Sequence, residues 1–356
     1  MYGVHLACSD TSVRRTPRRR RTPYTLEWRM KAIVQDRYGP PESLTLTEVD
    51  PPVPAANEVL VRVEAAALNA YDWHVLRGDP RMARLALGRS KPRARIRGRD
   101  FAGLVESVGE NVHQFHPGDA VFGDLGDANG AFAEYVCVPE TLIAPKPTNL
   151  TPQQAAALPL AGVTALMGLA DLGRVETGHR VLINGASGGV GTLAVQLAKA
   201  LGATVTGVCS ARNTDLVRSL GTDHVVDYTR SDFTHNTQPH DVVFDLVGNR
   251  SLTALRRVLT PAGRLILSGG GVYRGGSLVG PVWLITRGRL LAPFVRHRIA
   301  VLTTVPSRKH LDVLRDHAES GDLIPVIDRS YPLHEVPQAL RYLEGEHARA
   351  KVVITI

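Results

Sequence analysis

The clearest chemistry in this chain lies in the run Val181-Leu182-Ile183-Asn184-Gly185-Ala186-Ser187-Gly188-Gly189-Val190-Gly191. A short apolar stretch breaks into a glycine-rich turn, and a helical apolar pattern follows over residues 192–201. That order predicts a strand, a tight turn and a helix N-terminus. Glycines at such a turn let backbone N–H groups approach a pyrophosphate, and the helix dipole favours its negative charge. The glycine spacing (Gly185, Gly188, Gly191) departs from the usual Gly-x-Gly-x-x-Gly, because Ala186-Ser187 follow the first glycine. The turn is therefore a weak signal by itself, and its surroundings decide its meaning.

A second apolar run, residues 203–208, ends in Cys209-Ser210-Ala211-Arg212-Asn213. Folds that select NAD carry an Asp or Glu here for the ribose hydroxyls. In this chain no carboxylate appears before Asp215, and Ser210 and Arg212 stand in its place. An acid would repel a 2′-phosphate, whereas an arginine attracts and hydrogen-bonds it. The pattern predicts NADPH rather than NADH.

The elements that must position these residues fall into two periods. Residues 30–150 read as β-rich, with candidate strands at 31–35, 44–48, 59–66, 103–108, 120–122 and 133–138. Pro40-Pro41, Pro51-Pro52 and Pro117-Gly118-Asp119 punctuate them, and the short spacing suggests a barrel or folded sheet. From Thr151, which caps a helix, strand and helix patterns alternate through residue 268. That is the βαβ signature of an α/β, doubly wound parallel sheet, with residues 299–303 as a candidate last strand. The tail reads helix (310–320), strand (324–331), helix (336–343), strand (351–356). It is too short for a domain and is expected to pack back on the N-terminal β unit.

Composition narrows the class. The chain has 356 residues, 44% of them hydrophobic and 21% charged, which is ordinary for a globular protein. No apolar run approaches the roughly 20 residues a membrane-spanning helix needs. Cys8, Cys137 and Cys209 are widely spaced, so neither a structural zinc cluster nor a disulfide framework is expected, which fits a reducing cytoplasm. Seven arginines against Asp10 and Glu27 lie in residues 1–29, leaving only +3 of the net +8 for the rest. The body is thus no obvious nucleic-acid surface. Residues 1–29 lack apolar periodicity and are expected to be disordered. Several readings stay open for them: a basic arm for nucleic acid or an anionic membrane, an Arg-rich transit peptide, or a dispensable leader ahead of a true start at Met30.

Several separated motifs then resemble one family: Gly98-Arg99-Asp100-Phe101-Ala102-Gly103, Val108-Gly109, Pro117-Gly118-Asp119-Ala120-Val121, Thr164-Ala165, the 186–191 turn, Phe244-Asp245-Leu246-Val247-Gly248, and the closing stretch 345–356. In this order they resemble the medium-chain dehydrogenase/reductase superfamily, and within it the zinc-independent quinone oxidoreductase branch. The resemblance implies a GroES-like catalytic domain over 30–150, a Rossmann NADP-binding domain over 151–305, and a C-terminal return over 306–356. Cofactor and substrate would share the cleft between the domains. Where the zinc alcohol dehydrogenases of this superfamily carry a cysteine ligand, this chain has Asn69. Where they carry Gly-His-Glu, it has Gly98-Arg99-Asp100. An amide and a guanidinium cannot replace a thiolate and an imidazole on zinc.

The resemblance also implies roles. Asn69, Tyr71 and His74 become candidate catalytic residues, with His74 standing where quinone reductases usually have tyrosine. Ser187, Gly188, Gly189 and Val190 are assigned to the pyrophosphate; Ser210 and Arg212 to the 2′-phosphate, flanked by Tyr228. Val247 and Gly248 would lie near the adenosine or its ribose. Ser268, Gly269 and Gly270 follow the next strand, and Thr164 would approach the nicotinamide. The implied reaction is hydride transfer from NADPH to a quinone or an α,β-unsaturated carbonyl, because conjugation spreads developing charge where no Lewis acid is present. Two rivals stay open: an NADP-dependent alcohol or aldehyde reductase, and a non-catalytic nucleotide-sensing or RNA-binding relative. A homodimer through the last Rossmann strand, near 302–304, is a further expectation. Residues 271–298 depart from the short link of the family and are open as a cleft cover, a dimer contact or a lipid-facing element.

Overall fold

Two hydrophobic periods divide the chain, and two large sheets follow from them. The structure, a computed structural model, describes residues 28–235, 238–268, 282–345 and 348–356. The N-terminal extension through residue 27, Gly269, Gly270 and residues 271–281 lie outside the described residues.

The first region carries β1 (Met30–Gln35), β2 (Leu44–Val49), β3 (Glu58–Leu68), β4 (Asp100–Val108), β5 (Ala120–Asp124), β6 (Tyr135–Pro139) and β7 (Ile143–Pro145). β1 and β2 form a hairpin of their own. The second region carries β8 (Arg180–Asn184), β9 (Thr204–Cys209), β10 (His224–Asp227), β11 (His240–Asp245), β12 (Leu259–Leu267) and β13 (Arg298–Val301). The tail supplies β14 (Ile327–Pro332) and β15 (Lys351–Thr355).

Strands from both ends of the chain build one sheet in the order β14-β15-β3-β4-β5-β7, with β6 also paired to β3. β15 runs antiparallel to β3, setting Val352 opposite Leu68 and Ile354 opposite Ala66. Three of the last four residues of β3 are alanine (Ala65, Ala66 and Ala67). Ala65 and Ala67, with Ala102 of β4, share a core with Ala155, Ala156 and Ala157 at the start of the second region. Small side chains let that short helix, Pro152–Ala156, approach the sheet closely. Thr151 caps it as expected, its hydroxyl accepting from the Gln154 N–H at 3.2 Å. The opposite face of the sheet buries a separate core of Ile33, Val59, Val61, Phe101, Phe132 and Ile354 among others.

The second sheet is parallel throughout, in the order β10-β9-β8-β11-β12-β13. Its strands are short apolar runs with helices on both faces, so Val181, Leu182, Ile183, Val243, Phe244 and Ile266 are fully buried. Strand order reverses between β8 and β11. Ligands of open α/β sheets bind outside the carboxyl ends of the strands at such a reversal. Among the described residues, no helix is long and apolar enough to cross a membrane.

Candidate active site

β8 ends at Asn184, and the chain turns at Gly185, where φ is +93°. The turn closes through the Gly188 N–H donating to the Gly185 carbonyl at 3.0 Å. Helix Gly189–Ala200 then starts flush against the turn, because a Cβ on Gly191 would lie 2.1 Å from the Gly185 oxygen. Gly188 is the residue before this helix, so Gly189, Val190 and Gly191 present the first free N–H groups of a dipole's positive end. Val190 is half-buried against the core, and Ser187 is half-exposed beside it.

Two residues brace this turn that the motif alone did not single out. Asn213 is buried and donates from Nδ2 to Ser187 Oγ at 3.0 Å and to Ser210 Oγ at 3.3 Å. Asp245, at the end of β11, accepts on one oxygen from Asn184 Nδ2 (2.8 Å), the Val247 N–H (3.2 Å) and the Gly248 N–H (3.1 Å). Burial pushes the Asp245 carboxyl pKa up despite these bonds. Ser268, after β12, donates its N–H to the Asp245 carbonyl at 3.1 Å. Arg212 and Tyr228 are exposed at the neighbouring ends of β9 and β10, where the Tyr228 N–H meets the Cys209 carbonyl at 3.0 Å. The structure thus gathers Ser187, Ser210, Arg212, Tyr228, Val247, Gly248 and Ser268 at the carboxyl ends of adjacent strands.

The first sheet supplies the other half. Asn69 follows β3 and starts helix Ala70–Arg77, with its N–H donating to Asp72 at 2.7 Å. Its amide is held from both sides: Nδ2 donates to Asp100 Oδ2 at 2.9 Å, and Oδ1 accepts from Lys351 Nζ at 2.6 Å. Asp100 opens β4 and also accepts the Leu160 N–H at 3.1 Å, from helix Pro159–Leu166. That helix carries Thr164, whose hydroxyl donates to the Leu160 carbonyl at 2.6 Å and meets the Thr304 hydroxyl at 2.8 Å. Burial raises the Asp100 carboxyl pKa and lowers the Lys351 ammonium pKa, while the charge of each partner opposes the shift of the other and favours the ion pair. The sequence marks Lys351 only as the start of the last strand, with no role at the site. A lone lysine opening an apolar terminal strand was the available signal.

Tyr71 lies two residues on, its ring capped by the Arg99 guanidinium with Cζ 4.6 Å from the centroid. Its hydroxyl donates to Asp127 Oδ1 at 3.1 Å, and burial raises the phenol pKa. Arg99 itself makes a two-pronged contact with Asp124, both bonds 2.8 Å, and both residues are buried. Burial opposes the Arg99 charge, but the Asp124 bonds and charge outweigh it and hold its pKa above the ordinary value. His74 is held through one ring nitrogen: Nδ1 lies 2.8 Å from the Asp79 carbonyl, so Nδ1 carries the hydrogen. Burial lowers its pKa. A neutral His74 therefore offers only an acceptor at Nε2, and donation would need the imidazolium that burial disfavours.

The donor set does not fit zinc. At the two positions where metal-dependent relatives carry ligands, this chain has an amide already committed to Lys351 and Asp100, and a guanidinium paired with Asp124. Among the described residues no group of three His, Cys, Asp or Glu side chains is placed to hold a metal ion. The glycine turn, in contrast, fits a dinucleotide phosphate, since Gly188, Gly189 and Gly191 put no side chain of their own over the free N–H groups of the helix N-terminus.

A parallel sheet with a glycine turn at its strand reversal, joined to a β-rich unit that carries polar side chains, defines the class of two-part nicotinamide-dependent oxidoreductases. Residues 55–148 match the alcohol dehydrogenase GroES-like domain family, and residues 220–354 match the zinc-binding dehydrogenase family. The bovine (Bos taurus) protein named NAD(P)H oxidoreductase RTN4IP1, mitochondrial, is 34% identical, with 92% of this chain and 89% of that protein covered. A tomato (Solanum lycopersicum) 2-methylene-furan-3-one reductase is also 34% identical, covering 94% of this chain and 81% of its own. The solved quinone oxidoreductase of Coxiella burnetii superposes with a TM-score of 0.79 at 32% identity, over 92% of this chain and 100% of that one. The chain belongs to the medium-chain dehydrogenase/reductase superfamily, in its quinone-oxidoreductase-like branch, and is an oxidoreductase that uses a nicotinamide cofactor.

Proposed function

We propose that this protein is a zinc-independent, NADPH-dependent reductase that passes a hydride to a quinone or an α,β-unsaturated carbonyl. One observation carries the reading: the positions of the zinc ligands hold an amide and a buried arginine, and that arginine caps a protonated tyrosine. Such a site supplies hydrogen bonds and positive charge to a developing oxyanion, and a conjugated acceptor needs no stronger electrophile. The names of the Coxiella and tomato relatives support those two acceptor classes.

When bound, the reduced nicotinamide supplies the hydride; a proton completes the reduction of the acceptor. Tyr71 donates a hydrogen bond to the substrate oxygen, exchanging Asp127 for it, and Arg99 stabilises the charge that develops there. Asn69 orients the substrate or the ribose through the amide N–H that Asp100 leaves uncommitted. Ser187, Gly188, Gly189 and Val190 hold the pyrophosphate, with Val247, Gly248 and Ser268 beside the nucleotide and Thr164 on the nicotinamide side. Ser210, Arg212 and Tyr228 read the 2′-phosphate. β13 forms one edge of the parallel sheet, which supports a homodimer contact along it. A monomer in sedimentation velocity would remove that part of the reading.

The test is NADPH oxidation by metal-stripped protein against benzoquinone, naphthoquinone, an enone, an enal and a saturated ketone. Turnover on quinones or enones, with NADH much slower, is the expected result. Turnover on the saturated ketone alone would replace this reading with an alcohol or aldehyde reductase. Tight NADPH binding without turnover on any acceptor would replace it with a nucleotide sensor.

A further inference from the structure

We propose that Lys351 is a positioning residue: it locks the amide of Asn69 in one orientation and ties that amide to the pyrophosphate turn. The inference rests on Asn69 acting at the substrate end of the site, as proposed above.

Charge chemistry sets the orientation. The Lys351 ammonium only donates, and an ionised Asp100 only accepts. Asn69 sits between them with Oδ1 toward Nζ at 2.6 Å and Nδ2 toward Asp100 Oδ2 at 2.9 Å. Turning the amide over would set its NH2 against the ammonium and its carbonyl against the carboxylate. Lys351 also donates to the Leu68 carbonyl at 3.0 Å and forms an ion pair with Asp100 at 3.7 Å, so two of its hydrogens are bonded and its charge faces the carboxylate. All three side chains are buried, Lys351 at 2% exposure and Asp100 at 0%. A hydrophobic residue would fill such a place at less cost in desolvation, so the buried ammonium points to a specific orienting role.

Lys351 and its neighbour Ala350 also reach the nucleotide side. The Ala350 N–H donates to the Ser187 carbonyl at 2.8 Å, and Ala350 forms a parallel bridge with Gly188. Ala350 holds this place at φ +62°, a left-handed conformation that alanine adopts at a cost. The Lys351 stem runs beside the turn, since a Cβ on Gly189 would lie 3.0 Å from Lys351 Cδ. One lysine therefore touches the pyrophosphate turn with its stem and the candidate substrate residue with its head. Displacement of the turn reaches Asn69 through a single side chain.

The experiment compares wild type, Lys351→Met, Asn69→Ala, the Lys351→Met/Asn69→Ala pair and the Lys351→Met/Asp100→Asn pair. NADPH binding is read by fluorescence titration, and kcat and KM with naphthoquinone. Methionine keeps the stem, so the NADPH Kd of Lys351→Met should stay within about threefold of wild type while kcat falls about tenfold or more. Because the lysine acts through Asn69, adding Lys351→Met to Asn69→Ala should change kcat by less than about twofold. Fully multiplicative losses in that pair would overturn the proposal, as would wild-type kcat in Lys351→Met. Asn69→Ala with wild-type turnover would instead show that the reading of Asn69 itself fails. Should Lys351→Met not fold with Asp100 left unpaired, the neutral pair with Asp100→Asn carries the test. Its kcat is expected to stay low, and a wild-type value would mean that Lys351 serves only to neutralise Asp100.

Discussion

At the proposed nucleotide end of the site the groups assigned to the cofactor are mostly backbone. Gly185 and Gly188 shape the turn, Gly189, Val190 and Gly191 offer N–H groups, and the side-chain braces, Asn213 and Asp245, are small polar residues that bond to serines and to N–H groups. At the proposed substrate end the assigned groups are side chains just after β3, at the start of β4, at the end of β5 and at the start of β15, linked in buried pairs. A backbone site is local and sequence-contiguous, so it tolerates distant change and fails on a single added methyl. A side-chain site assembled from distant strands fails when any partner of a buried charge is removed.

That contrast is sharpest at Arg99. Arg99→Ala leaves the Asp124 carboxylate buried without its partner, and stability should drop by about 3–5 kcal/mol in urea melts. Replacing both by apolar residues, Arg99→Met with Asp124→Leu, should recover most of the loss. An unchanged midpoint for the single variant would show that the pair is not the strut described here. Next in size is Gly191→Ala, whose Cβ would meet the Gly185 oxygen at 2.1 Å. Overpacking of this kind costs about 1–3 kcal/mol, or up to about a hundredfold in nucleotide affinity. Wild-type NADPH binding in that variant would break the view of the turn as a backbone cradle.

Arg212 is the exception in the proposed nucleotide site, a side chain assigned there to the 2′-phosphate. Arg212→Glu should lower selectivity for NADPH over NADH about tenfold or more, read as the ratio of kcat/KM values, through lost charge-assisted hydrogen bonds. Unchanged selectivity would refute its phosphate role. The smallest effect concerns His74, half-buried with its pKa lowered by desolvation. A depressed histidine pKa contributes stability above its unfolded value, about 6.5, which is lost as pH falls through the folded value. His74→Phe should therefore flatten the acid-side loss of stability below about pH 6.5 and leave kcat within about threefold of wild type. A large fall in kcat with an unchanged stability profile would return His74 to the mechanism.

The same contrast explains what the sequence could reveal. The parallel strands were legible because apolar runs such as Val181–Ile183 and Val242–Phe244 are buried on both faces, and the turn because its glycines are adjacent in the chain. Thr151 was legible as a cap because its partner, Gln154, is three residues away. β7 was not, since three residues carry no readable period. Lys351 meets Asn69 across 282 positions, and no local pattern records such a partner. The direction of His74 depended on the Asp79 carbonyl, a backbone atom that side-chain spacing cannot place. Asn213 looked like an ordinary loop residue until Ser187 and Ser210 came to either side of it.

The pairing of β15 with β3 also has a consequence for synthesis. β3 is complete by Leu68, yet the strand that lies along it, opposite Ala65 to Leu68, is the stretch Val352–Thr355. During translation the first sheet carries an open, alanine-rich edge while the entire parallel sheet emerges behind it. The second sheet can close on its own contiguous strands, whereas the first waits for residues nearly three hundred positions later. That interval is when β3 is exposed to pairing with a neighbouring nascent chain, so chaperone demand should fall on the first sheet.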